Sequence, residues 1–259
     1  LTSEASKPLI LVDGVERSFF QMDPNEIENI TVLKDASSTA VFGVRGANGV
    51  ILVTTRRGNS EKNQISVNSS FGLTQALRNL KGVDSYTYAS LYNEAQKGDN
   101  PNLSNNQLKF SPYIVDMFKL NADPIMFPSV DWTEYLFDDL AWQTQHNATL
   151  SGGGERFRYF VSVGFLEQDG MLKSFQETYD PNFNYKRFNY RTNFDIDLTK
   201  DTQLKINVGG IVGNKRQPIT YDNFWKTIMW SLPFSSPGFV DGKLVMGPTS
   251  RTIPMEEVT

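Results

Sequence analysis

Four stretches of this chain alternate apolar and polar residues for about ten positions each, and that period limits the fold more than any other feature. Tyr185 to Leu198 is the clearest: Phe188, Tyr190, Thr192, Phe194, Ile196 and Leu198 oppose Asn189, Arg191, Asn193, Asp195 and Asp197. From Gln64 to Gln75, Ile65, Val67, Phe71 and Leu73 oppose Gln64, Ser66, Asn68, Ser70 and Thr74. From Arg156 to Leu166, Phe157, Tyr159, Val161, Val163 and Phe165 oppose Arg158, Ser162 and Gly164, with Phe160 out of pattern. From Gln203 to Val212, Leu204, Ile206, Val208 and Val212 oppose Lys205, Asn207 and Gly209. A weaker fifth run, Thr144 to Ser151, sets His146, Ala148 and Leu150 against Gln145, Asn147 and Thr149. A period of two makes a strand with one apolar and one polar face. Runs of about ten residues match a tilted strand that crosses a bilayer, whereas strands of soluble sandwiches are nearer five or six.

The connections sort by length. Gly152-Gly153-Gly154-Glu155 and Thr199-Lys200-Asp201 are tight, while about 67 residues separate the first two runs and about 18 follow Leu166. Alternating short and long links are the pattern of membrane barrels, with short turns on one side and long loops on the other. Five strands cannot close a barrel, and hydrocarbon tolerates no open sheet edge. The expectation is therefore part of a larger barrel, and the chain, which does not begin with Met, reads as a processed or excised piece.

The first sixty residues have another character. Leu9 to Val12 reads as a strand ending in an Asp13-Gly14 turn, Pro24 begins a short helix capped by Asp23, and Ile30 to Leu33 and Val50 to Thr55 are further strands. Between them lies VFGVRGANGVILVTT, with Gly43, Gly46 and Gly49 three residues apart. A phosphate-binding loop needs Gly-Lys-Ser/Thr opening a helix, or a strand before and a helix after; here Arg45 precedes Gly46 and a strand follows. Tight turns with positive φ in a densely packed unit are the expectation instead.

Composition removes several classes of chemistry. A net charge of -4 points to no nucleic acid partner, and the absence of cysteine excludes disulfides and thiolate metal sites. His146 is the single histidine, so neither a multi-histidine metal site nor a catalytic constellation is expected. Asp195 and Asp197 are two apart on one strand face, as paired carboxylates can be in glycosidases, but the polar lining of a barrel predicts the same residues without chemistry. No cofactor and no catalytic residue is expected.

The segments PLILVDGV and IENITVLKDASSTAVFGVRGANGVILVTTRRG resemble the C-terminal half of the plug domain of TonB-dependent outer-membrane transporters, in the SusC/RagA form found in Bacteroidetes. LYNEA, VDWTEYLF, QHNATLSGG and VGFLEQDGML are similar to that group's first barrel repeats and loops. The resemblance implies a small α+β plug unit followed by antiparallel transmembrane β-barrel strands, part of a roughly 22-stranded plugged barrel. Residues 1–60 would be plug and residues 61–259 the first five or so strands, with extracellular loops over 77–142, 167–184 and 213–259. It implies active import of an oligosaccharide or peptide across the outer membrane of a Gram-negative cell. The partners implied are a SusD-like surface lipoprotein, outer-membrane lipid, and TonB acting through a segment outside this sequence.

The resemblance also suggests that Arg45 and Lys34 of the plug make ion pairs with acidic residues of the inner barrel wall, such as Asp195 or Asp197. Trp132, Tyr135, Trp225 and Trp230 are candidate contacts for ligand or partner, or the small cores that long loops need; Asp222 to Leu232 and Asp84 to Gln96 have helical spacing. The alternative is a soluble two-domain β-rich carbohydrate-binding protein, which the strand lengths and sorted loops disfavour; a glycosidase is a third class with no acid/base pair to support it.

Overall fold

The computed structural model describes residues 7–59, 63–77, 81–175, 180, 182–218 and 221–245. Two compact units emerge: Leu1–Gly72 with Gln143–Gln168 and Tyr185–Asn214, and Leu73–Trp142 with Asp169–Asn184 and Lys215–Thr259.

The first unit begins with a four-stranded sheet. Its strands are β1 (Leu9–Val12), β2 (Val15–Glu16), β3 (Ile27–Leu33) and β4 (Val50–Thr55), in the order β2-β1-β4-β3. Asp13 and Gly14, with φ of 50° and 84°, form the two-residue turn whose twist suits a hairpin, so β1 and β2 run antiparallel. β1 is parallel to β4, and β3 is antiparallel to β4 with a bulge between Ile27 and Asn29. Val12, Met22 and Val53 form the core, backed by Phe19, Ile27 and Ile51. A short helix, α1 (Ala36–Thr39), and 3-10 turns over Ala40–Gly46 join β3 to β4. Gly43 and Gly49 take positive φ, 57° and 92°. Gly46 serves a different need from the one its spacing suggested: a Cβ there would lie 2.9 Å from the Thr39 carbonyl oxygen, so close packing excludes a side chain.

The same unit holds a five-stranded sheet in simple sequence order: β5 (Gln64–Gln75), β6 (Leu140–Gly153), β7 (Phe157–Asp169), β8 (Asn184–Asp197) and β9 (Gln203–Arg216). β6 and β7 pair antiparallel from Gln143↔Gln168 to Gly153↔Arg158. The strands are 12 to 14 residues long, longer than their alternating patterns. Backbone pairing continues through Gly152-Gly153 and the polar ends, where side chains no longer report a face.

The faces are inverted relative to a soluble sheet. Along β8, Arg187, Asn189, Arg191, Asn193 and Asp195 are buried, while Phe188 and Tyr190 are 46% and 40% exposed. Asn147 of β6 and Ser162 of β7 are buried as well. Ile65, Val67, Phe71 and Leu73 of β5, Val163 and Phe165 of β7, and Leu204, Ile206, Val208 and Val212 of β9 are exposed. A stack of buried amides and charges behind a mainly apolar exterior is unstable against water and stable against hydrocarbon. The soluble carbohydrate-binding alternative fails on this observation, because its apolar faces would have to meet across an interior. Among the described residues no helix is long and apolar enough to cross a membrane, which leaves crossing by strands untouched.

The second unit is mostly helical. It holds α2 (Ser85–Asp99), α3 (Pro112–Leu120), α4 (Trp132–Leu136), α5 (Tyr221–Trp230) and a hairpin of β10 (Gly238–Val240) with β11 (Lys243–Val245). Asp84 caps α2 by accepting the Thr87 N–H at 2.8 Å, which holds its carboxyl below the usual range. Trp132, Leu136, Leu172, Phe224 and Ile228 form a core of their own, and Tyr88, Phe110, Phe118 and Phe234 form an aromatic cluster with ring centroids 5.3–6.5 Å apart.

The inverted faces predict an asymmetry between neighbouring positions. In a bilayer, Tyr190→Lys on the outward face should cost about 2–4 kcal/mol, read as a lower denaturant midpoint for the vesicle-embedded protein. A soluble sheet would barely register the change.

Candidate functional site

Where the small sheet meets β8, the contact is almost wholly polar. β8 presents a residue every second position, and each from Asp195 to Asn189 meets a group of the small sheet or the strand end that leaves it. Asp195 pairs with Arg57. Asn193 donates to Thr55 Oγ1 at 2.9 Å and to the Arg56 carbonyl at 2.7 Å. The Arg191 guanidinium donates from Nε to Glu26 Oε2 at 2.8 Å and lies 3.8 Å from Asp13 Oδ2. Asn189 donates to the other oxygen of Glu26. On β6, Gln145 donates to Asp23 Oδ2 at 3.4 Å.

Local structure aims each acid. Asp13 sits at the hairpin turn and also accepts the Thr55 N–H at 3.0 Å and hydroxyl at 2.7 Å, which ties β1 to the end of β4. Asp23 caps the 3-10 turn Pro24–Glu26, and that turn delivers Glu26 into the contact. Glu26, Asp23 and Arg191 are 1%, 1% and 3% exposed, so their charges are almost fully removed from water. An isolated ion so placed costs several kcal/mol; Glu26 with two donors and Arg191 with two carboxylates within 4 Å offset that cost together, and neither could do so alone. Arg17 borders the cluster, and burial and the nearby Arg191 hold its pKa below the usual value, against the opposing pull of Asp13 and Glu26.

Two glycines make the approach possible. A Cβ on Gly164 of β7 would lie 2.5 Å from Asn189 Oδ1 and 2.9 Å from Asp23 Oδ2; one on Gly209 of β9 would lie 3.3 Å from the Arg191 guanidinium. The strand end beyond β4 is held equally closely, because a Cβ on Gly58 would fall 2.4 Å from the Gly152 carbonyl and the Tyr159 N–H.

The anticipated residues distribute differently. Arg45 pairs with Glu16 inside the small sheet, on an exposed face, and not with Asp195 or Asp197. Lys34 is exposed and makes no ion pair among the described residues. Asp195 takes Arg57, whereas Asp197 accepts from Gln203 Nε2 at 2.8 Å and lies 3.8 Å from Arg158 of the neighbouring strand. Charge runs chiefly the other way round from the expectation: the buried cation is on the long strand and its acids are on the small sheet. Glu26 and Arg57 carried no signal beyond their type, and Asp13 and Asp23 read as turn and cap residues, which they also are. Among the aromatics, Trp132 is buried and donates to the Leu232 carbonyl at 3.0 Å, and the Tyr135 hydroxyl accepts the Phe239 N–H at 2.9 Å. Trp225 stacks on Phe137 at 5.4 Å, and Trp230 is 81% exposed. The first two are therefore packing groups, and Trp230 is the most available surface. His146 meets Ser69 Oγ at 3.0 Å and the edge of Phe71, and no group of three or more metal-ligating residues occurs among the described residues.

Arg191→Met should destabilise the contact by about 3–5 kcal/mol, because it leaves Glu26 charged and buried. The double change Arg191→Met with Glu26→Leu should recover most of that, as a double-mutant cycle on protease resistance of the small sheet would read. Gly164→Ala should push Asn189 and Asp23 away from the wall and speed proteolysis of the small sheet relative to the parent.

Residues 2–50 match the TonB-dependent receptor plug domain. TonB-dependent receptor SusC of Bacteroides thetaiotaomicron is 26% identical over 290 residues, covering 97% of this chain and 25% of that protein. TonB-dependent receptor P3 of Formosa agariphila is 30% identical over 207 residues, covering 80% of this chain and 17% of that protein. Among solved structures, that of the RagAB peptide transporter matches 93% of this chain and 28% of its own with a TM-score of 0.69 at 27% identity. The RagAB peptide importer in its closed-closed state matches 83% and 25% with a TM-score of 0.65, also at 27% identity. The chain thus spans from about a sixth to little more than a quarter of the proteins it matches. A plug-domain match over most of the small sheet and a likeness to the RagAB structures that extends over the long strands agree with the exposed apolar residues and the buried charged contact: the chain is similar to the SusC/RagA-type TonB-dependent transporters, with plug structure and antiparallel barrel strands.

Proposed function

We propose that this chain is the plug-to-barrel portion of an outer-membrane importer that takes up oligosaccharides or peptides with a SusD-like lipoprotein as its lid. Residues 1–60 complete the plug and residues 61–259 supply the first five wall strands and their outer loops. The observation that carries the reading is the buried ionic contact of Arg191 with Glu26 and Asp13 behind an apolar exterior. Such a contact closes a lumen without covalent or apolar sealing, so displacing a few groups together can open it.

The importing cycle follows from those parts. The lid lipoprotein captures ligand and closes over the long connections, and the exposed Trp230 is a suitable contact on that surface. Ligand then rests on the plug and the inner wall. TonB, drawing on the inner-membrane proton gradient, engages the transporter by strand addition and pulls on the plug. Asp195 with Arg57, and Asn193 with the Arg56 carbonyl, tether the end of the plug to the wall, while the exposed Lys34 is available to other wall segments.

The test is uptake by whole cells that carry or lack the complete transporter gene. Labelled oligosaccharide or oligopeptide should accumulate only with the gene present, and collapse of the proton gradient should stop it. Accumulation that ignores both gene and gradient would overturn the reading.

A further inference from the structure

The inner face of β8 is a ladder with about 6.8 Å between rungs. Four rungs are engaged: Asp195 with Arg57, Asn193 with Thr55 and Arg56, Arg191 with Glu26 and Asp13, and Asn189 with Glu26. The next rung is Arg187. It is 8% exposed, its Nε has no hydrogen-bond partner, and no carboxylate pairs with it among the described residues. Among the described residues the buried charges at Arg191 and Asp195 are compensated and Arg187 is the exception on its face. An uncompensated buried cation costs several kcal/mol, and truncating its anion in other proteins is among the most destabilising changes known.

Position says what could compensate it. β8 enters from the long connection after β7 and leaves through the short turn before β9, so Arg187 lies on the long-connection side of the plug contacts. In a membrane barrel that side faces outward. Arg187 is therefore the first inner-wall position beyond the plug contacts, where a molecule resting on the plug would touch the wall. The guanidinium fork matches a carboxylate in two parallel hydrogen bonds, a geometry no ammonium reproduces.

We propose that Arg187 is a carboxylate-binding point on the inner wall and that it selects imported molecules bearing a carboxylate. This deepens, and rests on, the importer reading given above. Two sources share that chemistry: the C-terminal carboxylate of a peptide, and a uronic acid.

Calorimetry on the complete transporter purified with its lipoprotein would test it, using probe pairs that differ only in the carboxylate. One pair is a mixed octapeptide library without acidic side chains, as free acids and as C-terminal amides. The other is an oligogalacturonide and its methyl ester. The wild type should bind the acid member of one pair roughly tenfold to hundredfold more tightly than the neutral member, and the pair that responds identifies the source. Arg187→Met should abolish that preference and leave binding of the neutral member unchanged, and Arg187→Lys should retain only part of it. A wild type with no preference in either pair overturns the proposal, as does a preference that survives Arg187→Met. If that variant fails to reach the membrane, an undiminished preference in Arg187→Lys overturns it equally. Gradient-dependent uptake of the neutral members separates the two levels: if it persists, the importer reading stands without the carboxylate site, and if the wild type shows none, both fall.

Discussion

Arg191 is buried on a strand whose other face is apolar, and it can stay charged there only because Glu26 and Asp13 come to meet it. Much of the arrangement depends on that constraint. The hairpin turn at Asp13, the cap at Asp23 and the 3-10 turn that carries Glu26 are each ordinary local structures, and their combined effect is to place acids within reach of one guanidinium. Gly164 and Gly209 are small for the same reason, since a side chain at either would crowd the groups that make the contact.

A contact of this kind suits a seal that must open. Apolar packing gains stability with every buried surface and yields gradually, whereas a buried ion pair is held by a few short bonds and loses its stabilisation when one partner moves. Arg191, Asn189 and Gln145 on the wall meet Glu26, Asp13 and Asp23 here, and the end of the small sheet is bound separately through Arg57, the Arg56 carbonyl and Gly58.

The second unit follows different physics. Trp132, Leu136, Phe224 and Ile228 pack as in a small soluble protein, and Tyr135 spends its hydroxyl on a backbone N–H. Long connections outside a membrane need such cores, because the wall strands offer them no apolar surface to cover. Trp132 and Tyr135 are consumed in this way, while Trp230, its neighbour Met229 and part of Trp225 remain as exposed apolar surface on α5.

The strands, their polar and apolar faces, the long and short links, and the plug motif are all determined by the sequence alone, because period two, turn chemistry and glycine spacing are local properties. Its inversion was legible too once strand length had pointed to a membrane. Pairing was not. Arg45 and Lys34 looked like the plug's charged contacts, yet Arg45, in the 3-10 turns before β4, pairs with Glu16 of β2, and the wall meets Glu26, Asp13 and Arg57 instead. Glu26 and Arg191 are separated by 165 positions, and no local pattern encodes which acid a cation will face across such a gap. Only the tertiary structure decides that, because it depends on where two independently folded sheets come to rest against each other. It also leaves Arg187 without an ion pair among the described residues, since an unpaired charge is a property of the whole neighbourhood and never of the residue.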